Sequence, residues 1–205
     1  MTDEQLIDNL GTFLLAGHET TAKALTWTLY LLARAPEWQE KVRAEIMAVT
    51  GGSPITSDQI PQLVITQRVL KESMRLYPPV PVMTRVNAHD EVEIGGKLLP
   101  APTLIVLPIY AIHRHVALWD DPARFDPDRF LPERESTYPR TQFMPFGYGQ
   151  RVCIGAAFAM IEATTILATL LQGARFAWDG RHAPEPISRV TLRPAGGMPL
   201  KVTLI

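Results

Sequence analysis

Apolar and small residues open the chain at spacings of three, four and seven: Leu6, Leu10, Phe13, Gly17, Thr20, Ala24 and Leu31. This period predicts one long helix over residues 3–34, started by Thr2 or Asp3 as cap. At 1.5 Å per residue it would span roughly 48 Å, longer than a small domain is wide. Pro36 suits the first turn of a second helix, and Gly51-Gly52 its end. Residues 57–76 read as a further helical stretch, interrupted at Pro61 and stopped by Pro78-Pro79.

The period then changes. Residues 91–94 and 97–99 flank Gly95-Gly96 as a hairpin would, and 103–107 is a β-branched, apolar strand candidate, giving a β region over about 84–107. Residues 114–152 show no sustained period and are rich in Pro, Arg, Asp and aromatics, the mark of a functional loop or of a mis-assigned element. Residues 154–171 are apolar almost all round, which predicts a buried helix closed by Gln172-Gly173. Residues 174–205 read as short strands, with turns at Asp179-Gly180 and Gly196-Gly197. The fold class is therefore mainly α with small β-sheets, of the α+β kind.

Composition narrows the function. A length of 205 residues allows one domain or two. The apolar fraction of 46% against 20% charged fits a globular chain. Twenty basic against twenty-one acidic residues leave a net charge of −1, with no bulk field for nucleic acid and no polybasic membrane surface. One cysteine excludes an internal disulfide framework and a multi-cysteine metal site, and fits a reducing, cytoplasmic setting. No apolar run reaches the ~18 residues of a membrane span, and the opening residues do not read as a signal peptide.

Several motifs begin and fail. His18-Glu19 starts a zinc-protease pattern, but Ala22 stands where its second histidine belongs. Gly147-Tyr148-Gly149 starts a dinucleotide fingerprint, but Val152 replaces its third glycine. Neither a phosphate loop nor a nucleophile elbow is present.

One motif holds. Residues 146–155 read Phe-Gly-Tyr-Gly-Gln-Arg-Val-Cys-Ile-Gly, the pattern F-x-x-G-x-R-x-C-x-G, at the start of the apolar helix. Its five fixed positions would coincide by chance in roughly one window in three million. Cys153 lies at a helix N-terminus, where free N–H groups and the dipole favour a thiolate. Gly149 and Gly155 let backbone approach a large flat ligand. Arg151 can pair with a carboxylate, and Phe146 can shield the sulfur. The blander reading of a lone cysteine, an inert buried thiol, sits poorly with this pattern; a thiolate on iron suits it.

At this point the sequence resembles a cytochrome P450. It carries that family's signatures in order: Ala16-Gly17-His18-Glu19-Thr20-Thr21, Glu72-Ser73-Met74-Arg75, Pro127-Asp128-Arg129-Phe130, and then the cysteine loop over 143–155. The resemblance implies heme b as cofactor, with Cys153 as the axial ligand of the iron and Arg85 and Arg151 as partners of the heme propionates. It implies that Glu19 and Thr20 pass protons toward a dioxygen site beside a helix bent at Thr20, where the blander reading is helix packing. Glu72, Arg75 and Arg129 would form a structural triad that aims the cysteine; the alternative is an ordinary surface pair on a helix of about 66–76.

Leu15, Ala16, Thr20, Val80, Val82, Val190 and Thr191 match positions on the substrate side of the heme, although aliphatic residues of this kind equally suit a core. Arg85 could instead be a surface residue at a strand start. His18, His113 and His115 read as structural histidines. The partners implied are a small apolar organic substrate, dioxygen, and a ferredoxin or flavoprotein reductase docking on the cysteine side.

The family fold takes a longer chain than this one. Residues 1–205 therefore read as the C-terminal half of a cytochrome P450, from the oxygen-binding helix onward. The expected activity is a heme-thiolate monooxygenase. The alternative is a truncated, non-catalytic remnant with impaired heme binding. A heme-thiolate isomerase or peroxygenase is disfavoured by Glu19-Thr20.

Overall fold

A computed structural model describes residues 1–205. Helix α1 runs over Asp3–Arg34 and begins with a full capping box: the Gln5 N–H donates to Thr2 Oγ1 and the Thr2 N–H to Gln5 Oε1. It ends at Ala35 because the residue before a proline is pushed out of the helical region, and Pro36 then opens α2, Pro36–Thr50. Gly51, with φ of 61°, closes α2 in the left-handed conformation. A single 3₁₀ turn at Ile60–Gln62 precedes α3, Val64–Leu76, so the helical stretch expected from residue 57 starts later. The free N–H groups at the start of α3 find their acceptor on α2: Glu45 takes hydrogen bonds from the Ile65 and Thr66 backbones at 2.6 and 2.8 Å.

Four two-stranded antiparallel sheets follow. Strand β1, Met83–Asn87, pairs with β4, Thr103–Leu107, placing Arg85 opposite Ile105. The hairpin β2, Val92–Ile94, and β3, Lys97–Leu99, turns at Gly95-Gly96 as the sequence indicates. Between β4 and the last helix lie two one-turn helices, α4 (Ile109–Ile112) and α5 (Pro132–Glu135), with a 3₁₀ turn at Pro127–Phe130. Helix α6 covers Ala156–Gly173. The chain closes with β5 (Ala174–Ala177) paired to β8 (Lys201–Leu204), and β6 (Pro186–Ser188) paired to β7 (Leu192–Pro194).

The core sits where the second half of α1 meets α2, α3 and α6. Leu25, Leu32, Val42, Ile46, Leu63, Leu70, Leu167 and Leu171 belong to one buried cluster. Arg43 of α2 stabilises the α6 C-terminus by donating to the Leu171 carbonyl and, at 3.3 Å, to that of Ala174.

Two expectations change. The apolar residues of α6 are not all buried: Ala163, Thr164, Leu167, Ala168 and Leu171 face the core, while Phe158 and Ile161 are exposed. A helix apolar all round carries no information about which side is covered. By length and composition α6 also qualifies to cross a membrane, contrary to the expectation that no run does; its packing in the cluster marks it as a core helix of this fold. The first half of α1, through Glu19, is exposed, so the long helix enters the core only from Thr21.

Candidate active site

The cysteine loop owes its shape to its own backbone. The Cys153 N–H donates to the Phe146 carbonyl at 2.8 Å, and the Val152 N–H to that of Gly149 at 3.1 Å. Closing so tight a loop takes positive φ at Gly147 (79°) and Gly149 (77°), which side chains with a Cβ rarely adopt. At Gly147 a Cβ would also stand 3.4 Å from the Met83 sulfur. The loop delivers Cys153, exposed, to the N-terminus of α6. No side chain caps that terminus, so its free N–H groups and dipole favour negative charge nearby.

Three buried side chains hold the segment that precedes the loop. Glu72 and Arg75, three apart on α3, form a two-point pair: Nε to Oε2 at 2.6 Å and Nη2 to Oε1 at 2.8 Å. The Arg129 Nε lies 3.5 Å from Glu72 Oε1, and the Asp126 N–H donates to the same oxygen at 2.9 Å. The remaining Arg75 donors reach the carbonyls of His113, Pro122 and Arg124 at 2.8, 2.9 and 3.1 Å. Burial pushes the Glu72 carboxyl up, against the pull of the two guanidinium groups.

His113 completes the link. Its Nε2 accepts from the Met144 N–H at 2.9 Å, tying the triad to the start of the cysteine loop. Burial holds its imidazole at about 4, which keeps it neutral and able to accept. The sequence marks His113 as structural but gives no sign of this partner, 31 positions away.

Cys153 shares a cavity of about 640 Å³ with residues from four parts of the chain. Phe13, Ala16, Gly17, Thr20 and Ala24 come from one stripe of α1. The periodicity that opens the chain therefore marks a cavity wall as well as a core. Val80, Arg85, Phe146, Arg151 and Gly155 also line it. Neither Arg85 nor Arg151 has a carboxylate partner; Arg85 donates only to the Thr84 carbonyl, at 2.8 Å. Sequence reasoning misses Pro79, Met83, Phe158 and Met160 in the lining, because nothing in their spacing distinguishes cavity from core.

Thr20 donates back to the Ala16 carbonyl at 2.7 Å, the bond that can bend a helix, yet α1 stays helical throughout. Four expected pocket residues lie outside the cavity. Leu15 is one position from Ala16 and so about 100° around the helix, facing solvent at 74% exposure. Val82 is turned outward just before β1, and Val190 stands at the tip of a turn, 83% exposed. Thr191 is buried but donates to Glu19 Oε1 at 2.7 Å. Glu19 itself flanks the cavity without lining it, and Gly149 shapes the loop without reaching it.

A thiol aimed into an apolar cavity, two free guanidinium groups at its edge and a hydroxyl on the opposite helix can hold a flat, anionic, metal-bearing ligand. The comparisons with known proteins agree. The cytochrome P450 family profile matches residues 1–201. The chain is 41% identical over 200 residues to cyclooctatin synthase of Streptomyces melanosporofaciens, covering 98% of this chain and 42% of that protein. It is 39% identical over 201 residues to pentalenene oxygenase of Streptomyces avermitilis, covering 98% and 44%. Among solved structures, the heme domain of cytochrome P450DA superposes with a TM-score of 0.92 at 33% identity, covering 100% of this chain and 46% of that one. The chain thus spans less than half the length of these relatives. With the cysteine loop, the buried triad and the cavity all in place, the chain belongs to the cytochrome P450 family.

Proposed function

We propose that residues 1–205 form the cysteine-bearing part of a heme-thiolate monooxygenase, which inserts one oxygen atom of dioxygen into a small apolar organic substrate. The observation that carries this reading is the Cys153 thiol opening into the same cavity as Thr20 and Ala16 of α1.

Heme is the cofactor of the family, and the residues present fit it. Cys153 would hold the iron through its sulfur, just ahead of the uncapped N-terminus of α6. Arg85 and Arg151 would take the propionates, since both guanidinium groups line the cavity without a carboxylate. Gly155 leaves the space beside the sulfur open: a Cβ there would stand 3.9 Å from it. Heme supplies the redox chemistry with dioxygen.

The protein's own groups do the rest. Phe146 lines the same cavity as Cys153, where its ring would shield the sulfur once the cavity is filled. Ala16 and Val80 give the substrate an apolar wall. Thr20, whose hydroxyl donates to the Ala16 carbonyl, lines the cavity, and Glu19 precedes it on the exposed part of α1; together they would form a short relay for protons from solvent to the site. Glu72, Arg75 and Arg129 keep the loop in register through His113. Electrons come from a ferredoxin or flavoprotein reductase docking on the cysteine side.

The test is isotopic. Heme-loaded protein, supplied with a surrogate ferredoxin and its reductase, is given heavy-isotope dioxygen and a panel of apolar substrates. Transfer of one labelled atom to product is expected. Products labelled only from water would refute the reading.

A further inference from the structure

A side-chain pair links α1 to the C-terminal strands: Thr191 Oγ1 donates to Glu19 Oε1 at 2.7 Å, across 172 positions. Glu19 lies on the exposed part of α1, where a carboxylate without a partner samples several rotamers. No basic side chain pairs with it. Thr191 is its one recorded side-chain partner, and that hydroxyl comes from a residue only 5% exposed.

The backbone around Thr191 has little freedom. The Arg189 N–H donates to the Thr191 carbonyl at 3.2 Å, closing the turn between β6 and β7. The next residue is fastened twice: the Leu192 N–H donates to the Pro79 carbonyl at 2.8 Å, and Trp27 Nε1 donates to the Leu192 carbonyl at 3.0 Å. Trp27 is fully buried and stacks on Tyr77 with centroids 4.0 Å apart, so this anchor is itself fixed. Pro79 lines the cavity. The turn is thus secured both to α1 and to the cavity wall, with one hydroxyl aimed at the carboxylate beside Thr20.

We propose that Thr191 is a positioning residue for proton delivery: its hydroxyl fixes the Glu19 carboxylate on the flank of α1 and so sets its access to Thr20. This rests on the reading of Glu19 and Thr20 as a proton relay. Thr191 touches no substrate and gives up no proton; it acts through Glu19. The β6–β7 turn then has a role separate from lining the substrate pocket, and its attachment at Pro79 ties the acid to the wall the substrate meets.

The test uses Thr191→Val, which keeps the shape and removes the hydroxyl, Thr191→Ser, which restores it, and Glu19→Gln. Infrared spectra of the full chain without heme isolate the Glu19 carboxylate band as the difference between parent and Glu19→Gln. The band is expected to shift in Thr191→Val and to return in Thr191→Ser. In the heme-loaded chain with a surrogate ferredoxin, the solvent deuterium isotope effect on dioxygen consumption is expected to grow about twofold or more in Thr191→Val. It should return in Thr191→Ser, and Thr191→Val should add nothing to Glu19→Gln. An unmoved band overturns the proposal, as does a shifted band with a parental isotope effect. If Glu19→Gln itself leaves the isotope effect at the parental level while the band still shifts, the relay reading is what fails, and the proton role of Thr191 falls with it.

Discussion

Replacing Glu72 by glutamine changes almost no volume but removes the charge at the centre of the triad. Glu72 and Arg75 are fully buried, and the carboxylate meets two guanidinium N–H groups at 2.6 and 2.8 Å. A glutamine keeps one acceptor oxygen and turns its NH₂ toward an arginine donor, so one contact becomes donor against donor. Arg75 and Arg129 are then left buried without a counter-charge. Breaking a buried pair in this way costs about 3–5 kcal/mol, a large share of the 5–15 kcal/mol that typically holds a domain.

Urea unfolding followed by circular dichroism measures this directly. The midpoint should fall steeply with an unchanged slope. Arg134→Ala serves as control, because its pair with Asp126 at 3.7 Å is partly solvated and worth about 0–1 kcal/mol. A loss below about 1 kcal/mol for Glu72→Gln would refute the reasoning that the triad's charge holds the loop.

Other consequences are as specific. The folded His113 is depressed to about 4 by burial, so between roughly pH 6.5 and 4 the unfolded chain binds a proton that the folded one does not. Its contribution is full above about pH 6.5 and is lost as pH falls, at most roughly 3 kcal/mol; unfolding midpoints across this window should fall less steeply in His113→Gln. Leu167→Ala, at a fully buried position of the core cluster, should cost about 2–5 kcal/mol in the same unfolding assay. Arg85→Ala and Arg151→Ala should each speed heme transfer to a scavenging protein by roughly tenfold, with secondary structure unchanged.

What the sequence revealed divides along physical lines. Proline and glycine end helices locally, so the bounds of α1 and α2 and the β2–β3 turn are readable directly. The Glu72–Arg75 pair and the cysteine loop are readable because their spacing is fixed by one helix face and one tight turn; Arg129 joins the pair from another segment, and only the family resemblance pointed to it. The burial of α6 is not, since an apolar residue looks the same whether it faces core or solvent. Matching positions to the family placed Leu15, Val82, Val190 and Thr191 near the substrate; Leu15 instead follows the turn of its own helix to the outer face, and around Val82, Val190 and Thr191 side-chain direction depends on contacts far away in the chain. The Thr191–Glu19 bond and the His113–Met144 bond arise only when distant segments meet.

The central claim is that Cys153 gives a thiolate to heme iron in this cavity. The direct measurement is the absorption spectrum of the ferrous, carbon monoxide-treated, heme-loaded chain, taken beside Cys153→Ser. The account predicts the red-shifted Soret band of a thiolate ligand in the parent chain and its loss in the variant. A parent spectrum without that band, or one unchanged by Cys153→Ser, would contradict it.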